Sequence, residues 1–134
     1  MLGEKIMESI GKVTSRRVLP NSGSGPKIET SFEASGTLLG VAHQEWGTYW
    51  SELRADGTLY GEGQGVVMSK EGDIGTWKGS GVGTPTNDGG VRYRGAIYMQ
   101  TTSPKWARLT SAALVFEHDV DAQGNSRSQF SEWK

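Results

Sequence analysis

The chain has 134 residues, no cysteine, and a formal net charge of -1. The length suits one domain with a core of its own. The missing thiols exclude disulfides and cysteine-built zinc sites, and the charge balance excludes the clustered Lys and Arg that grip nucleic acid or an anionic membrane. No apolar run approaches the ~20 residues of a membrane helix, and residues 1–10 lack the apolar stretch of a signal peptide. The expectation is a soluble, cytoplasmic protein with a single domain over residues 1–134. Residues 1–10 are a loosely attached segment or a short helix on Leu2, Ile6 and Ile10.

From Ile10 to Leu19 the chain leans to strand, and Asn21-Ser-Gly-Ser-Gly-Pro26 is a turn. Ile28-Glu-Thr-Ser-Phe32 alternates between two faces, as a half-buried strand does. Gly40 is a weaker turn signal. Thr48-Tyr-Trp-Ser-Glu-Leu53 is rich in β-formers and runs into a turn at Ala55-Asp-Gly57. Two glycine-rich strands follow, Gly61-Glu-Gly-Gln-Gly65 and Gly79-Ser-Gly-Val-Gly83, with Lys70-Glu-Gly-Asp73 between them. A turn over 84–90 leads to the alternating run 91–99. Turns at 101–104 and 119–125 flank the short β-rich stretch Leu114-Val-Phe116. Pro and Gly interrupt every long helical window, so the chain reads as all-β, with about eight strands in sequential hairpins. A meander of this size hides its edges by closing, fully or nearly, into an antiparallel up-and-down barrel.

Twenty glycines are the compositional outlier. Inside strands they mark a sharp bend or a close approach to the backbone. A barrel corner covered by aromatic rings is the expected reading, ahead of a ligand groove. An odd-length loop around Gly72 sets glycine opposite glycine. An even one sets the second strand's glycines across from Tyr60, Glu62 and Gln64. The pattern leaves that register open, and with it the interior face of 59–69.

Chemistry-bearing motifs are few. The glycine runs lack a following helix, so they are not phosphate loops. Asp119-Val-Asp-Ala-Gln-Gly124 resembles the front of a calcium loop, but the position of its bidentate Glu holds Phe130, and a hairpin turn is expected. His43 and Glu45 share a strand face and are suited to acid–base work. A solvated edge or barrel rim is nevertheless the expectation for them. His118 lies between Glu117 and Asp119. Two histidines alone rarely supply a metal site, so neither metal nor cofactor is expected. No Gly-x-Ser-x-Gly elbow positions a serine nucleophile.

The polar residues inside strands are more telling. Val91, Tyr93, Gly95, Ile97 and Met99 form the apolar, core-facing side of one strand, leaving Arg92 and Arg94 outside. For the earlier strand, the glycine face offers nothing to fill a core. Tyr60, Val66 and Met68 are therefore expected inside, carrying Glu62 and Gln64 with them. An inward Glu and Gln among apolar residues is the pattern of a small ligand site. The expected pocket is Tyr60, Glu62, Gln64, Tyr93 and Met99, holding a small apolar ligand. A second reading makes the protein an isomerase or cyclase, with Glu62 as catalytic acid–base and Tyr93 or Tyr49 as hydrogen-bond donor. A third is a structural or assembly protein. In it, Arg92, Arg94 and the tryptophans Trp46 and Trp50 form the interface of a homo-oligomer.

The regular hairpins, the turn at Ala55-Asp-Gly57 and the run Gly57-Thr-Leu-Tyr-Gly-Glu-Gly-Gln-Gly65 resemble small barrels of the calycin kind, more narrowly the allene oxide cyclase and dirigent-like barrels. The chain is also similar to uncharacterised bacterial proteins of this size. The resemblance implies an interior that takes apolar small molecules, with cyclisation of an enclosed intermediate in some members. Their catalytic carboxylates correspond only loosely to Glu62, and no catalytic role is transferred on that likeness.

Overall fold

The computed structural model describes all residues except Ser22 and Ser24. Eight antiparallel strands close into a barrel in chain order: β1 (Leu2–Leu19), β2 (Lys27–Leu38), β3 (Val41–Leu53), β4 (Leu59–Met68), β5 (Ile74–Pro85), β6 (Val91–Thr101), β7 (Leu114–Val120) and β8 (Asn125–Trp133). β1 pairs with both β2 and β8, which closes the sheet on itself. The N-terminal ten residues are thus part of the wall rather than a loose or helical segment, because Leu2 through Lys12 pair with β8 from Trp133 to Asn125.

Local chemistry sets the hairpins. Leu39 and Gly40 both have positive φ, 48° and 76°, and join the paired residues Leu38 and Val41. That is the two-residue turn whose twist matches the flanking strands. Four other hairpins use one five-residue recipe with glycine fourth, at Gly57, Gly72, Gly89 and Gly124. In each, the glycine N–H donates to the carbonyl of the turn's first residue, and φ lies between +85° and +93°. Only glycine adopts that conformation without strain. The stretch from Asp119 to Gly124 belongs to the last of these hairpins, as expected, and Asp121 Oδ1 accepts the N–H groups of Gln123 and Asn125. The expected turn over 21–26 falls partly outside the described residues.

The two barrel ends differ. The β6–β7 connection carries a 3-10 helix (Ala107–Ser111). It lays Trp106 and Leu109, both fully buried, over Met7, Leu38, Val67, Met99 and Leu114. Trp106 Nε1 donates to the Leu38 carbonyl at 3.1 Å, which fixes the plug to the β2 end. Midway along the axis the apolar filling gives way to polar side chains. Ser9, Thr30, His43, Glu45, Ser51, His118, Ser126 and Ser128 are all buried.

The five-residue loop after Met68 sets Gly61 opposite Gly81 and Gly63 opposite Gly79, the odd-length register. Aromatic rings cover this wall from inside. A Cβ on Gly81 would lie 2.9 Å from Phe116 Cζ, one on Gly83 2.7 Å from Tyr93, and one on Gly47 2.5 Å from Phe32. An eight-stranded barrel has an interior just wide enough for side chains, and here large rings from neighbouring strands fill the space the glycines vacate.

Candidate functional site: a polar cavity inside the barrel

On β3 the inward residues are His43, Glu45, Gly47, Tyr49 and Ser51, and on β7 they are Leu114, Phe116, His118 and Val120. Ser128 on β8 is the cross-strand partner of His118, and Tyr93 on β6 is its partner on the other side. A cavity of about 60 Å3 lies among these groups. It is bounded by Phe32, Tyr49, Trp77, Tyr93, Phe116 and Phe130, with Glu45, His118 and Ser128 as its inward polar side chains and the segments Gly61-Glu62-Gly63 and Gly79-Ser80-Gly81 as one wall. That is several times the ~10–15 Å3 that seats one water, and well below the ~300 Å3 at which drug-sized pockets begin.

Glu45 is almost wholly buried, and its carboxylate is held by two hydrogen bonds, with His43 close by but beyond hydrogen-bond reach. Trp77 Nε1 donates to Oε2 at 3.0 Å, Ser9 Oγ donates to Oε1 at 3.3 Å, and His43 Nε2 stands 3.6 Å from Oε1. A carboxylate out of water requires such partners. His43 and Glu45 are therefore interior residues, not the rim pair expected. The alternating residues Gln44, Trp46, Thr48 and Trp50 take the outer face of β3.

His118 is tied at one nitrogen only. Its Nδ1 is 2.5 Å from Ser128 Oγ, while Nε2 is buried without a partner. Both ring nitrogens of His43 are likewise unpartnered. Each bare buried polar atom costs about 1–3 kcal/mol, so such atoms in a native core call for a reason. Burial pushes the His118 pKa down to about 4, against weaker opposing pulls from Glu45 and Asp119. The ring is therefore neutral at pH 7. Tyr49 and Tyr93 stand edge-on to one another, 5.4 Å between centroids, and 5.6 and 6.1 Å from the His118 ring. Tyr93 Oη is 2.8 Å from Ser51 Oγ. Burial raises both tyrosine pKa values, which keeps them phenols able to donate. Among the described residues, no three His, Asp or Glu side chains converge as a metal site requires.

Of the five residues expected to line a pocket, Tyr93 does so, and Glu62 lies in the cavity wall between Gly61 and Gly63 with its carboxylate at the surface. Met99 is inward but packs in the apolar layer with Trp77 and Trp106. Tyr60, Glu62 and Gln64 project from the outer face. Tyr60 Oη donates to Glu62 Oε2 at 2.7 Å, and Gln64 Nε2 donates to the Thr48 carbonyl at 3.1 Å, both at the surface. The glycine face of β4 points inward instead, because rings from β2, β5, β6 and β7 supply the filling that the strand itself lacks. The expected acid–base carboxylate Glu62 is thus outside the barrel, and the buried carboxylate is Glu45. Arg92 and Arg94 are outward as expected, and Arg94 pairs with Asp119 at 2.7 Å and Glu117 at 3.4 Å.

No family model and no curated protein matches the sequence. Solved structures do match. A conserved protein of unknown function from Rhodopseudomonas palustris superposes with a TM-score of 0.83 at 11% identity, over 98% of this chain and 97% of that one. The chain shares its fold with uncharacterised small β-barrel proteins. A beta-barrel like protein from Acinetobacter baumannii gives a TM-score of 0.81 at 9% identity, over 99% and 96% of the two chains. An enzyme from Penicillium herquei gives 0.69 at 13% identity, over 96% and 92%. Identities this low carry the architecture and leave the chemistry to the residues.

Proposed function

We propose that the barrel interior binds a small, neutral organic molecule, apolar on its faces and polar at one edge. The observation that carries this is the cavity beside His118, whose Nε2 has no protein partner. A ligand hydroxyl or carbonyl there would satisfy a group that otherwise costs stability, and the rings of Phe32, Trp77, Phe116 and Phe130 would cover its faces. No Lys or Arg lines the cavity, and the Glu45 carboxylate beside it disfavours an anion, so a neutral ligand is favoured. The cavity volume of about 60 Å3 holds the ligand to a few heavy atoms, since it takes an apolar cavity of ~150 Å3 to seat a benzene ring. The likeness to calycin and allene oxide cyclase barrels supports an interior site of this kind, with its polar residues at Glu45, His118 and Tyr93 rather than at Glu62.

Native mass spectrometry of freshly purified protein, with organic extraction of whatever is bound, tests the reading. A neutral molecule of a few heavy atoms in the extract is expected. An empty extract, from protein that also takes up no acetone, overturns it.

A further inference from the structure

We propose that this cavity is a proton-transfer site for a small enolisable carbonyl compound, with His118 as the base and Tyr93 donating to the carbonyl oxygen. This rests on the binding reading above and assigns it a chemistry. The two functions enolisation needs, a neutral base and a hydrogen-bond donor for a developing oxyanion, line one cavity, with the His118 and Tyr93 rings 6.1 Å apart between centroids. The base has a free nitrogen, because Ser128 occupies only Nδ1. The donor is pre-oriented, because Ser51 Oγ holds Tyr93 Oη at 2.8 Å and can give its own proton to that contact, leaving the phenol hydrogen for a ligand. Glu45 is occupied by Trp77 and Ser9, so it is not a free base. Its negative charge favours a proton on His118, which makes it a positioning residue for the cation the reaction creates.

The step balances without a co-reactant. His118 Nε2 takes a proton from the α-carbon, the C–H pair becomes the carbon–carbon π bond, and the carbonyl π pair moves to oxygen, where the tyrosine hydroxyl stabilises it. The imidazolium then returns the proton to the same carbon, giving exchange, or to a vinylogous carbon, giving isomerisation. Water is the competing proton donor, and the apolar walls limit its access.

Acetone in D2O is the probe. Deuterium wash-in at its methyl carbons is followed by proton NMR, and its uptake is followed in parallel by saturation-transfer NMR. We expect saturable wash-in above the buffer rate, reduced about a hundredfold or more in folded His118→Asn. Tyr93→Phe, which leaves the ring in place, serves should His118→Asn not fold, and is expected to slow wash-in. Wild-type protein that takes up acetone but exchanges it no faster than buffer overturns the proton-transfer inference and leaves the binding site standing. Wash-in unchanged in the folded variants overturns it too. Protein that takes up no acetone overturns the binding reading and this one with it.

Discussion

Replacing His118 by asparagine should make the fold less sensitive to acid. In the unfolded chain this histidine titrates near 6.5, and in the barrel burial holds it at about 4. Between those values the unfolded state binds a proton that the folded state refuses, so stability falls as pH drops through the window. Each unit is worth about 1.4 kcal/mol. Over the whole interval that is about 3 kcal/mol, of which about 2.5 kcal/mol has been lost by about pH 4.5. The contribution is present in full above the unfolded value. Urea denaturation of wild type and His118→Asn at about pH 7 and pH 4.5 isolates it, because carboxylate titrations common to both proteins cancel in the difference of differences. The wild type should lose about 2 kcal/mol more than the variant between the two conditions. Equal losses would show that His118 charges freely in the folded state, and would refute the buried, neutral histidine on which the site depends.

Other substitutions probe the remaining parts of the interior. Trp77→Phe keeps a ring against Phe32 but removes the N–H donor to Glu45 Oε2. It should cost about 1.5–3 kcal/mol by urea denaturation, and a neutral result would mean that the carboxylate finds another donor. Gly81→Ala places a Cβ 2.7 Å from the Arg94 carbonyl oxygen and 2.9 Å from Phe116 Cζ. A loss of about 1–3 kcal/mol is expected, and an unchanged denaturation midpoint would show that this wall gives. Glu62→Gln lies on the outer face, where its partner is Tyr60. Acetone affinity measured by saturation-transfer NMR should stay within about twofold of wild type, whereas a large loss would turn the Glu62 carboxylate into the pocket.

The architecture was legible because its signals are local. Asp-Gly, Glu-Gly, Asp-Gly-Gly and Gln-Gly turns fix the hairpins one at a time, and alternation over 91–99 sets the inward face of β6 correctly. The site was less legible because facing in a barrel is decided by what arrives from other strands. On β4 the glycine face looked too poor to be core, yet Trp77 and Phe116 fill that space from β5 and β7. On β3 the strand alone left His43 and Glu45 at a rim, because the donors that let Glu45 sit inside, Ser9 and Trp77, arrive from β1 and β5. One signal was available. Leu114, Phe116, His118 and Val120 alternate on β7 with Val115, Glu117 and Asp119, which turns His118 inward with its apolar neighbours. The 3-10 plug had no such signal, since a single turn around Trp106 and Leu109 is too short to show a period.

The most direct test of the interior site is a titration of 15N-labelled protein with acetone, observed at the imidazole and indole nitrogens. The account predicts a saturable shift at Nε2 of His118, with Nδ1 still held by Ser128. Imidazole resonances that stay fixed while indole signals from the outer face, Trp46 above all, respond to acetone would place binding on the surface and contradict it.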